Sequence, residues 1–138
     1  MTRINAGIEP LELIDQHLIA ELHELPRIFT LVQNRIDKDS LGSVDIPPSF
    51  RLGSGHVTFF YNKLLYLKKR HDALRAEYTR RFEKEWPFVA TRAVIPTLSY
   101  TWNDWTARAE DRELLLERIN ERISNMKTTP RYASVALT

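Results

Sequence analysis

A threonine follows the first methionine, in Met1-Thr2-Arg3-Ile4-Asn5. Methionine before so small a residue is normally removed in cells, which would leave Thr2 with a free α-amine. Such an amine has a pKa of roughly 7.7–8.0, far below that of lysine. Much of it is unprotonated near neutral pH and can attack an electrophilic carbon. The plain alternative is that Thr2 is only where translation began. A second group of reactive types lies between Asp15 and Arg27. At helical period His17, Ala20, Glu24 and Arg27 share one side, with Gln16 and His23 beside them. That side gathers a carboxylate, two imidazoles, an amide and a guanidinium, although a solvated polar surface has the same look. Further along, Arg118 and Arg122 are one turn apart and could grip a phosphate backbone. Glu117 and Glu121 beside them offer mutual salt bridges instead. Gly53-Ser54-Gly55-His56 could turn backbone N–H groups toward a phosphate. No Lys-Ser/Thr follows it, as a phosphate-binding loop requires, and close packing against a neighbouring backbone is the preferred reading.

Composition narrows the chemistry. There is no cysteine among the 138 residues, which excludes disulfides, thiol nucleophiles and thiolate metal sites. The length suits one domain, residues 1–138, with one core. With 43% hydrophobic residues and mixed charge the chain should fold. No apolar run approaches a membrane span, and Glu9, Glu12 and Asp15 interrupt any signal-peptide pattern. A cytoplasmic protein with no membrane association is expected. Net charge is only +2, unevenly spread: residues 1–50 carry four basic and eight acidic side chains, and the surplus of bases is densest from Lys63 to Lys84. A basic half could meet phosphates, or it could be a well-solvated helix.

The elements that must position these groups are read from periodicity. Leu18, Leu22, Leu25, Phe29 and Val32 form an apolar stripe on a helix from Asp15 to Ile36. Pro26 lies inside it and removes a backbone hydrogen bond, so a bend is expected near Leu22 to Pro26. Such a bend would tilt Glu24 away from the ordinary helix surface. Glu9-Pro10 should open a short helical turn. Asp37 to Pro48 reads as a loop. A second helix is expected from His56 to Lys84, burying Phe60, Leu64, Leu67, Leu74 and Tyr78 and ending at Trp86-Pro87. Residues 88–106 lack a period and should be irregular, packed through Trp102 and Trp105. A third helix should run from Thr106 or Ala109 to Met126, dry along Leu116, Ile119, Ile123 and Met126. The tail from Lys127 should be irregular and partly ordered by Tyr132.

Two blocks then carry a resemblance. The first is Thr2-Arg3-Ile4-Asn5 followed by Asp15-Gln16-His17-Leu18, Ala20-Glu21 and Glu24-Leu25-Pro26-Arg27. The second is Gly53, Gly55-His56-Val57-Thr58-Phe59-Phe60-Tyr61 and Lys63-Leu64. In this order and separation they resemble the pyrimidine-dimer DNA glycosylases of the phage endonuclease V type. The resemblance covers the first two helices and fades beyond about residue 85. It implies an all-α fold of three main helices with the N-terminus lodged between them, acting as a monomer on damaged double-stranded DNA. It implies base removal at cyclobutane pyrimidine dimers or a related lesion, then strand cleavage at the abasic site. Thr2 would be the nucleophile, through an imine, and Glu24 the essential carboxylate. Arg3, Gln16, His17, His23, Arg27, Arg118 and Arg122 would face DNA. No metal or organic cofactor is needed for this chemistry.

The chain also departs from the family pattern. His23 stands where the family carries an arginine, which removes a permanent charge and a bidentate phosphate donor. The loop from Asp37 to Asp45 is net acidic where the family's is basic, and the tail offers one aromatic, Tyr132. An alternative reading follows: a catalytically weak or inactive paralogue that serves as a nucleic-acid-binding or protein-interaction module.

Overall fold

The computed structural model describes residues 2–88 and 99–137. Readings that rest on Met1, Val89, Val94, Ile95 and Leu98 lie outside the described residues. The fold is all-α. Its helices are α1 (Asp15–Glu24), α2 (Pro26–Asp37), α3 (His56–Phe59), α4 (Leu64–Phe82) and α5 (Ala109–Ser124), and a small antiparallel pair, β1 (Arg131–Tyr132) and β2 (Val135–Ala136), closes the tail.

The bend expected at Pro26 is a full break between two helices. An uninterrupted helix would send the residue 26 N–H to the carbonyl of Leu22, and proline has none. The orphaned carbonyl is taken from another direction. His71, on α4, approaches the Leu22 oxygen through Nε2 at 3.2 Å. A carbonyl can only accept, so Nε2 carries the proton. Proline then suits the first position of α2, where its missing N–H costs nothing. The apolar stripe lies where its period puts it: Leu18, Leu22, Leu25, Phe29 and Val32 are all buried.

The second helix is not continuous. It comprises α3, a 3-10 turn over Phe60–Asn62, and α4. Lys63 sits at the join with φ −130° and ψ 40°, outside helical space. The expected apolar residues are buried nonetheless, because Phe59, Phe60, Leu64 and Leu67 reach the same core from both pieces. Two bases of the dense run from Lys63 to Lys84 are neither solvated nor open to phosphate: Arg70 and Arg81 are buried against carboxylates. Trp105 stacks on Phe50 and meets Phe59, Phe60 and Tyr66 edge-on, closing that side of the core. On α5 the driest residues are Leu115 and Ile119, with Leu116 and Ile123 at the margin. No helix among the described residues is long and apolar enough to cross a membrane.

The N-terminal segment runs into the middle of this framework. Ile4, Ala6 and Ile8 are at most 1% exposed. Gly7 turns the segment with φ +80°, and a Cβ there would meet Ala107 Cβ at 3.0 Å, so glycine is required twice over. Its carbonyl accepts from Arg112 on α5 at 3.0 Å. Close packing against a neighbouring backbone, the reading preferred for the glycine pair, is not what the structure has: Gly55, with φ +88°, sits against the side chains of Arg51 and Pro47, and a Cβ at Gly53, with φ +71°, would meet nothing within 4 Å.

Candidate functional site

Four residues singled out in the sequence meet in one small cleft: Arg3, His17, Glu24 and Arg122, with Asn5, Ala20, Glu21 and Ile119 completing its wall. Three elements deliver them. The N-terminal segment brings Arg3, α1 brings His17 and Glu24, and α5 brings Arg122. A second concavity, lined by His17, Arg118, Glu121, Arg122, Asn125 and Met126, continues from the first along α5.

The Arg3 backbone N–H donates to Glu24 Oε1 at 3.1 Å. Covalent geometry keeps consecutive backbone nitrogens within about 4 Å of each other. The Thr2 nitrogen is therefore one residue from a group already touching the carboxylate. Glu24 is partly exposed at the end of α1. Glu24 is the last residue of α1, and Leu25 continues with helical torsions, φ −56° and ψ −44°, into Pro26 at the start of α2.

Electrostatics set this cleft apart. Arg3 is 7% exposed, yet its Nε and Nη1 are buried without hydrogen-bond partners. Burial, then the guanidiniums of Arg122 and Arg118, push its pKa down, with Glu24 opposing. Two guanidiniums, Arg3 and Arg122, thus share this cleft with the carboxylates of Glu21 and Glu24, and Arg118 lies in the adjoining concavity. An unpaired buried donor is costly, and an anion with several acceptor oxygens would relieve it. His17 Nδ1 is also buried without a partner. Burial first, then Arg122, hold the His17 imidazole below the ordinary histidine value, against the pull of Glu21. Near neutral pH it is an uncharged ring that can accept or donate one proton.

On α5 the expected salt bridges are thin. Arg118 comes no nearer than 3.9 Å to Glu121, too long for a hydrogen bond. Among the described residues Arg122 has no carboxylate within 4.0 Å. The guanidinium face of this helix is free to meet an anion.

The remaining expected residues lie elsewhere. Gln16 is tied to the tail: its Nε2 donates to Thr129 O at 2.7 Å and its Oε1 accepts from Arg131 N at 3.1 Å. His23 is exposed and meets the Trp86 ring edge-on, centroids 4.7 Å apart. Arg27 is exposed in the first turn of α2. Thr2 is partly exposed just before the cleft.

Beneath the cleft lies a network that reasoning from the sequence does not assign. Glu21 is 1% exposed and accepts from Arg70 Nε at 2.8 Å, Arg70 Nη2 at 3.0 Å and Asn5 Nδ2 at 2.9 Å. Arg70 also donates to the Ile8 carbonyl. The signal was present: Glu21 precedes Glu24 by one turn, and Asn5 follows Arg3 by two. Spacing gave no hint of Arg70, which comes from 49 residues away. Among the described residues no cluster of His, Asp and Glu is placed to hold a metal ion.

A family model described as pyrimidine dimer DNA glycosylase matches residues 1–88. The matched stretch holds Thr2, Arg3, His17, Glu21, Glu24 and Arg70, and it ends before α5, which supplies Arg118 and Arg122.

Proposed function

The chain belongs to the pyrimidine dimer DNA glycosylase family, and on that premise we propose that it removes the base at a cyclobutane pyrimidine dimer or related lesion and cuts the resulting abasic site. Membership supports the glycosylase type of function. The bond from Arg3 N–H to Glu24, in a cleft with unpartnered guanidinium donors, is the observation that supports the finer reading.

The Thr2 amine, once Met1 is gone, donates its lone pair to the sugar C1′. The C1′–N glycosidic bond breaks and its electrons leave with the base. Opening of the sugar ring, with a proton delivered to O4′, converts the adduct to a C1′=N imine, as lysine Schiff bases form. Glu24 stabilises positive charge developing at C1′, then takes a proton from C2′. Those electrons form C2′=C3′, the C3′–O bond breaks, and the phosphate leaves. Arg3 and Arg122 would hold phosphate oxygens beside this reaction, with Arg118 extending the contact along α5. His17 would lie against the sugar as a neutral donor. Arg27 and His23, on exposed surface beside Glu24 in sequence, would meet the flanking backbone. Gln16 would act through the tail that it holds. Taking a base out of the stack is cheapest where pairing is already damaged.

The test is covalent trapping. Full-length protein with Thr2 confirmed as its first residue is mixed with ultraviolet-irradiated duplex and with abasic duplex, and borohydride is added. Adduct with both, lost when Met1 is retained and, with the irradiated duplex, on Glu24→Gln, supports the full reading. Adduct with the abasic duplex alone restricts the activity to the lyase step. Adduct with neither leaves the second reading, a binding module that kept the fold, which the acidic stretch from Asp37 to Asp45 favours.

A further inference from the structure

We propose that His56 is a positioning residue for the N-terminal nucleophile: its neutral Nε2 accepts the Ile4 backbone N–H and so sets the direction in which the segment carries Thr2 past Glu24. The proposal rests on the amine reading given above.

The geometry is specific. Ile4 N–H donates to His56 Nε2 at 2.9 Å, across 52 residues of chain. The other ring nitrogen, Nδ1, lies 2.9 Å from the Arg51 carbonyl. That oxygen can only accept, so Nδ1 carries the proton and Nε2 presents its lone pair. The rings of Phe50 and Phe60 meet the imidazole edge-on, with centroids at 5.4 Å and 5.6 Å, which hinders reorientation. His56 is 4% exposed, and water does not stand in for it readily.

Its leverage comes from the neighbouring bond. Arg3 N–H is held by Glu24 and the next amide, Ile4 N–H, by His56. Two consecutive pins, one to α1 and one to the start of α3, fix both the position and the rotation of the backbone just after Thr2. One pin alone would leave rotation about it. A displacement of about 1 Å at a reacting atom can cost on the order of 10²-fold in rate.

The pin needs an unprotonated ring. A second proton, on Nε2, would set N–H against N–H and place a charge in a dry site. The charged groups that face the imidazole are Arg3, which opposes that proton, and Glu21, which favours it. The Glu21 oxygens are already engaged by Arg70 and Asn5. Arg51 contributes its carbonyl. Burial is the largest influence and holds the pKa below the ordinary value.

The experiment compares wild type, His56→Gln, which can return an acceptor to the Ile4 N–H, and His56→Phe, which fills the site without one. All are full-length proteins beginning at Thr2. Imine trapping under saturating abasic duplex is measured in single turnover, beside duplex affinity and the Ile4 amide resonance between about pH 5 and 8. His56→Phe should trap roughly 10²-fold more slowly with duplex affinity within about twofold, and His56→Gln should recover most of the rate. In wild type the Ile4 amide should shift as the His56 ring titrates, and that shift should be missing in His56→Gln. Wild-type trapping by His56→Phe, or an Ile4 amide indifferent to the ring, overturns the proposal. If His56→Phe does not fold, the Ile4 titration and the His56→Gln rate decide. If wild type traps nothing, the amine reading fails, and the Ile4 titration reports on the pin separately.

Discussion

Two arginines on opposite sides of α1 lie in similarly dry surroundings and end in opposite states. Arg81 donates Nε to Glu77 at 2.6 Å, Nη1 to Asp15 at 3.1 Å, and Nη2 to the carbonyls of Pro10 and Leu11, with the Tyr132 ring 3.9 Å from its guanidinium carbon. Asp15 in turn accepts the amides of Ala133 and Ser134, which docks the β1–β2 hairpin on the start of α1. Arg3, at the other end of the helix, keeps two buried nitrogens without partners. One cluster is a finished structural joint. The other has donors to spare, and spare buried donors are tolerated where something else completes them. The two carboxylates of α1 nearest the cleft repeat the lesson: among the described residues Glu21 accepts three side-chain hydrogen bonds, while Glu24 takes only a backbone amide.

The sharpest test of this contrast is Glu24→Gln. Strand cleavage should fall by about 10²–10⁴-fold, while the unfolding free energy from urea titration stays within about 0.5 kcal/mol of wild type. A variant that unfolds instead would put Glu24 in the same class as Glu21. Next comes the arginine pair. Arg81→Met should lose about 3–5 kcal/mol, because it removes the buried cation that Asp15 and Glu77 share. Arg3→Met should leave the urea midpoint unchanged or raised, since it removes unpaired buried donors, and should weaken duplex binding. Equal destabilisation by both would erase the distinction between joint and site.

A smaller effect should appear in acid. Burial holds His17, His56 and His71 below the ordinary histidine pKa. The unfolded chain then binds protons first as pH drops, so stability present above about pH 6.5 is lost toward the folded-state values. Thermal midpoints measured from pH 7.5 down to about 5 should fall steadily, and less steeply in His56→Gln. A flat profile would mean that these rings are not held neutral. The smallest expected effect is at the rim. Arg122→Ala should reduce the salt dependence of duplex binding by about one phosphate contact, with the fold intact. No change in slope would take α5 out of the interface.

Much of the scaffold is legible in the residue order, and the exceptions have physical causes. The stripe from Leu18 to Val32 is buried as its period requires, and Pro26 marks where Glu24 ends a helix. The interruption at Lys63 is invisible because apolar spacing runs through it from Phe59 to Leu67. The hairpin is unforeseen because its turn residues, Ala133 and Ser134, adopt positive φ without being glycine or asparagine, held there by Asp15 from 118 residues away. Arg70 and Arg81 read as surface charges until partners 49 and 66 residues distant neutralise them. The cleft itself follows the same logic. Glu24 and His17 are neighbours in sequence, but their meeting with Arg122 depends on where α5 packs.

The buried N-terminal segment has a consequence for how the molecule comes into being. Residues 4–8 are synthesised before the elements that anchor them, yet they lie almost wholly inside the finished protein. Their anchors are made much later: His56 follows Ile4 by 52 residues, Arg70 follows Ile8 by 62, and Arg112 follows Gly7 by 105. Closing such long loops is slow compared with local helix formation. The opening residues must therefore wait, solvent-exposed, while most of the chain is synthesised. A segment made before its anchors is thus among the last parts of the molecule to be installed.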